Sequence, residues 1–284
     1  MFDYVQGQLN FYKQGQVQGQ LNFYKQQFSS LEAIVRQAGD ILKTAVVTTD
    51  TIHEKEGPAN FVTNYDVQIQ KFLIERITSV FPDASFYGEE DTERSSHQVG
   101  EGLVFFIDPI DGTTNFMFGY QHSCVSVGAA FGRQIIAGYV YNPFTDTMYS
   151  AIRGKGAWMN GRKLCIRDRS IAEGITAFGC ARYNDEHTDI LFAIVKELYL
   201  RSLAVRNGGS AALDLCRVAS GANVCYLELK LQPYDYAAAS VIIEEAGGRI
   251  CQIDGSAVTL DGPCSVVGGS PKGTEEVQKL FRDI

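Results

Sequence analysis

Asp108 and Asp111 stand three residues apart, with Pro109 and Ile110 between them, directly after the apolar run at 103–107. A strand ending there delivers both carboxylates into one loop, and Pro109 opposes a regular ladder or helix at that point. The Ile110 carbonyl is left free. Two carboxylates and one carbonyl can then face a single hard cation, the oxygen donor set that magnesium favours. The run continues Gly112-Thr113-Thr114-Asn115-Phe116. Glycine lets the backbone approach a phosphate, and the Gly112 and Thr113 amides open the next segment, where a helix N-terminus favours an anion.

Two further acidic groups lie far away along the chain. Gly88-Glu89-Glu90 closes a short strand, and Asp235 starts an alanine-rich segment at 235–246. Taken singly, each has a plain structural reading: Asp-Pro is a common turn, an acidic pair is a solvated patch, and Asp235 is a helix N-cap. Taken together they form a constellation of carboxylates around a phosphate-sized loop. The four histidines, His53, His97, His122 and His187, have no zinc-binding spacing and read as surface or packing residues. There is no G-x-S-x-G elbow and no P-loop.

Alternating short strands and helices must position these residues. Helices are expected at 31–42, with Ser29 or Ser30 as cap, and at 66–80, where Val67, Ile69, Phe72, Leu73 and Ile77 form the apolar set. Strands follow at 85–87, 103–107, 124–131, 135–141 and 147–151, and a glycine-rich hairpin at 154–161 marks a division between halves. The second half alternates helices (187–199, 211–220, 235–246, and a last one from Gly273) with strands. That pattern implies layered α/β packing. The resulting division is a polar N-terminal segment at 1–28, an N-terminal α+β half at 29–153, and a C-terminal α/β half at 154–284. Within the first segment VQGQLNFYKQ occurs twice, at 5–14 and 17–26. Two short copies cannot build a solenoid, so this reads as a local duplication.

Composition bounds the partners. The 284 residues are 45% hydrophobic and 20% charged, with a net charge of −8, which disfavours general nucleic-acid binding. Carboxylates gathered around a dication still attract phosphate, because the ion reverses the local field. No apolar run is long enough to cross a bilayer, and no signal peptide opens the chain. The seven scattered cysteines contain no C-x-x-C pair and fit reduced thiols in a cytoplasm.

The three acidic motifs, in their order and spacing, resemble the inositol monophosphatase family of lithium-sensitive, magnesium-dependent phosphatases. Further matches are Lys55 with Asn60-Phe61-Val62-Thr63 and Asp66, Gly209-Ser210-Ala211-Ala212, and Glu244-Glu245-Ala246-Gly247-Gly248. Asn60 stands where Asp is common, Tyr234 where Trp often precedes the acidic residue, and Ser210 where Thr is frequent. The resemblance implies an α-β-α-β-α sandwich, a homodimer, and two to three Mg2+ ions per active site. It implies Glu89, Asp108 and the Ile110 carbonyl on one ion, Asp108, Asp111 and Asp235 on a second, and a third near Glu89. Thr113 and Asp66, with Glu89, would serve catalysis by orienting and deprotonating water. Gly112, Thr113, Asp111, Gly209, Ser210, Ala212, Glu228 and Asp235 would contact substrate. The implied reaction is hydrolysis of a small phosphorylated polyol, myo-inositol monophosphate above all. Alternatives are fructose 1,6-bisphosphate, the 2′-phosphate of NADP, or a regulatory binding protein retaining the fold.

Overall fold

The computed structural model describes residues 26–55, 61–90, 102–180 and 186–284, with residues 19, 24 and 99 in addition. Asn60, His97, most of the charged 88–102 loop, the first copy of the repeat and most of the second lie outside the described residues.

Two helices form the outer layer on one side. Helix α1 (Leu31–Thr44) buries Leu31, Ile34, Val35, Ala38 and Leu42 of the apolar stripe its periodicity predicts, and leaves Ile41 of that stripe half-buried. Ser30 precedes it but does not cap it, since its hydroxyl donates to the Gln27 carbonyl. Helix α2 (Asn64–Val80) starts two residues earlier than expected, capped by Thr63, whose Oγ1 accepts from the Tyr65 amide. Its buried face holds Ile69, Leu73, Ile74 and Ile77 together with Asp66 and Gln70, while Val67 is exposed.

Both helices pack on a seven-stranded sheet in sequential order: β3 (Ser85–Gly88), β4 (Leu103–Asp111), β5 (Cys124–Phe131), β6 (Gln134–Asn142), β7 (Thr147–Ile152), β8 (Ala157–Met159) and β9 (Arg162–Lys163). β3 and β4 pair in parallel, and the rest is an antiparallel meander. β8 and β9 are the expected glycine-rich hairpin. They extend this sheet, so the chain leaves it only after Lys163. A separate short ribbon, β1 (Ile52–Glu54) and β2 (Phe61–Thr63), leads into α2.

The middle layer is α5 (Ala211–Ala219) and α6 (Pro233–Glu245), and both touch both sheets. Alanine is needed there because α6 lies almost on the backbone of the first sheet. Gly128 of β5 pairs with Gly138 of β6, and a Cβ on Gly138 would meet the Ala238 carbonyl oxygen at 2.2 Å. Bulkier residues on either surface would push the helix, and Asp235 with it, out of place. The second sheet runs β11 (Ala204–Arg206), β10 (Ile175–Phe178), β12 (Asn223–Leu231), β14 (Cys264–Gly269), β13 (Arg249–Cys251). Helices α4 (Thr188–Arg201) and α7 (Pro271–Asp283) cover its far face. The layers therefore form the α-β-α-β-α sandwich that the resemblance implies. No helix among the described residues is long and apolar enough to cross a membrane.

Candidate active site

The strand carrying the two aspartates does not stop at Ile107, as its apolar run suggests. β4 continues through Pro109 to Asp111 by taking one extra residue between the pairs Asp108–Ser126 and Asp111–Cys124. Such a bulge leaves one position outside the ladder, which is where a residue without an N–H is tolerated. The bulge also turns both carboxylates toward the middle layer. Asp108 is 2% exposed, and one of its oxygens accepts from the Ile110 amide at 3.1 Å. The Ile110 carbonyl accepts from Thr113 Oγ1 at 3.0 Å.

Gly112 follows at φ 87°, and there is no room for a side chain, since a Cβ would lie 3.0 Å from the carbonyl oxygens of both Gly209 and His122. It starts the short helix α3 (Thr113–Met117). Asn115 ties this loop to the second half, its Nδ2 donating to the carbonyls of His122 and Gly208 at 2.8 Å each. Sequence reasoning singled out the string but not this job for Asn115.

Asp111 reaches across the layers to the start of α5. Ser210 Oγ donates to it at 2.5 Å, the Ala212 amide at 2.7 Å and the Ala211 amide at 3.2 Å. It thus caps a helix 100 residues away, at the end where the helix dipole favours an anion. Burial still pushes its carboxyl up, against these donors and His122. Ala212, expected on the substrate wall, is fully buried and contributes its amide; Ala211 lines the cavity instead.

Asp66 and Asp235 occupy equivalent local positions, each the third residue of its helix. Asp66 Oδ2 accepts from the Thr63 amide at 2.7 Å and its hydroxyl at 2.6 Å, and Thr113 Oγ1 lies 3.4 Å from Oδ1. Asp235 Oδ2 accepts from the Gln232 amide at 2.7 Å, so Gln232, not Asp235, occupies the cap position. In both cases one oxygen is held by the helix start. Burial, then Glu89, pushes Asp66 up to about 7. Asp108 and Asp235 are held well above the carboxylate range, first by burial and then by neighbouring carboxylates: Glu89 and Asp111 for Asp108, Asp111 for Asp235.

Glu89 and Glu90 follow β3. One oxygen each of Asp66, Glu89 and Glu90 lies within 4.8 Å of the others, close enough to share an ion. Glu90 was absent from the expected ligand set. The Lys55 ammonium contacts both glutamates, at 3.0 Å for Glu89. Burial works to lower its pKa, but Glu89 and Glu90 outweigh this and raise it.

Glu89, Asp111, Gly112, Thr113, Gly209, Ser210, Glu228 and Asp235 line one cavity of about 400 Å3, while Asp108, Ile110 and Asp66 stand behind its wall. Glu228 accepts from the Tyr226 hydroxyl at 2.5 Å, and burial pushes it up to about 8. Cys180, Asn207 and Tyr226 also line the cavity and gave no signal in the sequence. Of the histidines, His53 is exposed, His187 is half-buried, and His122 is buried with Nε2 3.4 Å from Asp214.

Residues 25–284 match the model of the inositol monophosphatase family. The inositol-1-monophosphatase of Bacillus subtilis is 36% identical over 238 residues, covering 84% of this chain and 89% of that protein. A Xylella fastidiosa protein named Nus factor SuhB is 28% identical over 255 residues, covering 87% of this chain and 90% of its own. The structure of inositol monophosphate-bound SaIMPase-II superposes with a TM-score of 0.76 at 28% identity, over 90% of this chain and 93% of that one. With motif order, layer architecture and a shared acidic cavity all in agreement, the chain belongs to the inositol monophosphatase family of phosphatases.

Proposed function

We propose that this protein is a magnesium-dependent phosphatase acting on phosphate monoesters of small polyols, with myo-inositol monophosphate as the leading substrate. The observation that carries the reading is the convergence of Glu89, Asp111 and Asp235, from three distant segments, on one cavity beside Gly112 and Thr113. The donor set fits a hard dication. Every group is an oxygen donor; Asp108 and Asp111 are buried, Asp235 is half-buried, and none of the three has a Lys or Arg partner among the described residues. Buried acids in that state are costly unless neutralised.

Glu89, Asp108, the Ile110 carbonyl, Asp111 and Asp235 would hold two to three Mg2+ ions. When bound, magnesium acidifies the attacking water and stabilises charge on the phosphoryl and leaving oxygens. Thr113 Oγ1 has one hydrogen, to be donated to Ile110 or to Asp66, and its lone pairs orient the water. Asp66, at about 7, can take a proton near neutral pH. The Gly112 and Thr113 amides receive phosphoryl oxygens, while Gly209, Ser210 and Glu228 face the polyol. The same reading carries lithium inhibition, a homodimer and, with all seven cysteines free, a cytoplasmic setting.

The test is phosphate release from inositol 1-phosphate, fructose 1,6-bisphosphate and NADP, each with Mg2+ and with chelator. The expected result is the highest kcat/KM for inositol 1-phosphate, abolished by chelation. Preference for either other substrate moves the reading to a broader sugar phosphatase, and no hydrolysis at all sinks it. The relative named a Nus factor supports a second, regulatory reading. Binding to a protein or RNA assembly that survives Asp108→Asn would favour it.

A further inference from the structure

Gln70 lies one helical turn beyond Asp66, on the same face of α2, and is fully buried. Its amide is used entirely on one residue. The Glu90 amide donates to Gln70 Oε1 at 3.0 Å, and Gln70 Nε2 donates to the Glu90 carbonyl. A side chain thus supplies both bonds that a neighbouring strand would otherwise make. It does so where strand pairing ends: β3 stops at Gly88, and the last ladder-like contact is the Glu89 amide donating to the Ile107 carbonyl at 3.1 Å.

The position before the acidic pair is shaped around this clamp. A Cβ on Gly88 would come within 2.5 Å of Gln70 Oε1 and 2.7 Å of Nε2. In a continuing strand, Glu89 and Glu90 would point to opposite faces. Here both carboxylates instead meet the Lys55 ammonium, and both come near Asp66. A bend that turns two like charges to one side opposes their repulsion and needs an anchor. Gln70 provides one without adding charge.

We infer that Gln70 is a positioning residue, holding the Glu89–Glu90 turn in the bend that presents its carboxylates to a divalent cation. The inference rests on the metal-dependent reading above. It assigns α2 a double task, with Asp66 set beside the two glutamates behind the cavity wall and Gln70, one turn on, fixing the turn that carries them.

The experiment measures Mn2+ binding to the full-length chain by electron paramagnetic resonance, with Mn2+ as the paramagnetic probe of the Mg2+ site. Gln70→Met keeps length and removes both bonds, and it should weaken Mn2+ affinity about tenfold or more, the usual consequence of losing a residue that orients a ligand. Gly88→Ala pushes the amide away from the other side and should produce a similar loss. The double variant should bind no more weakly than the weaker single one, since both break one clamp. If Gln70→Met fails to fold, Gly88→Ala carries the test alone. Wild-type affinity in either folded variant, or losses that add in the double one, overturns the inference. A wild-type chain that takes up no Mn2+ overturns the metal reading and this inference with it.

Discussion

On one side of the cavity, built from α2 and the turn after β3, Asp66, Glu89 and Glu90 face a lysine: the Lys55 ammonium sits against both glutamates. On the other side, built from the end of β4 and the starts of α5 and α6, no ion pair among the described residues reaches Asp108, Asp111, Asp235 or Glu228. These four rely on dipoles instead: the Ile110 amide for Asp108, the amides of Ala211 and Ala212 and the Ser210 hydroxyl for Asp111, the Gln232 amide for Asp235 and the Tyr226 hydroxyl for Glu228. Dipoles soften burial but do not cancel it, and all four carboxyls stay raised. The difference teaches where a cation matters most. The lysine-backed side keeps a built-in counter-charge, whereas the dipole-backed side has none among the described residues.

The sharpest break in this comparison is Asp108→Asn. It removes an acid that feels Glu89, Asp111, Asp235 and Asp66, and kcat/KM at saturating Mg2+ should fall by about a thousandfold or more, the upper end for losing one charge-stabilising group. Circular dichroism should be unchanged, because among the described residues the Asp108 side chain makes one hydrogen bond, to the nearby Ile110 amide.

Next in size is the response of the chelated protein to pH. Glu228 titrates at about 8 in the fold, above its unfolded value near 4.5. The folded state therefore holds the proton more tightly, and its contribution is fully present below about 4.5 and lost as pH rises through about 8. Melting temperature without metal should decline over that interval, and Glu228→Gln should flatten the decline. A flat wild-type profile would show that the dipole-backed side is not strained by its charges.

Lys55→Gln probes the other side and should be milder. The metal-free protein should melt a few degrees lower, since Glu89 and Glu90 lose their counter-charge. Mg2+ affinity by calorimetry should rise a few-fold, because a competing cation is gone. Weaker Mg2+ binding in that variant would make Lys55 a support for the ion rather than a substitute. The smallest effect belongs to deletion of residues 1–16. The family match begins at residue 25, so melting temperature and activity should both be retained. Loss of folded protein would give the duplicated segment a structural role.

The sequence exposed the site where chemistry forced an unusual local pattern. Two aspartates around a proline after an apolar run, an acidic pair after a strand, and an aspartate opening an alanine-rich helix are all local signals. The α1 stripe was equally legible, because its buried face is wholly apolar. Legibility failed on α2, whose buried face includes Asp66 and Gln70. Periodicity reads polar side chains as solvent-facing, and nothing local reveals that Gln70 pairs with a backbone twenty residues on. The end of β4 failed for a related reason: a bulge carries the strand through Pro109, and a bulge is defined by the pairing with β5 rather than by the residues of β4 themselves.

What the amino-acid order determined alone is the inventory: which oxygens are available for a dication, in what spacing, on an alternation of helices and strands that must stack in layers. That much follows from local covalent geometry and hydrophobic period. Only the tertiary structure decided that Asp111 caps a helix from the other half, that Ala211 rather than Ala212 faces the cavity, and that one group of acids has a lysine while the other has none among the described residues. Those outcomes depend on which surfaces meet when the layers close, as at the Gly128–Gly138 seat of α6, and contact between segments so far apart leaves no trace in either one.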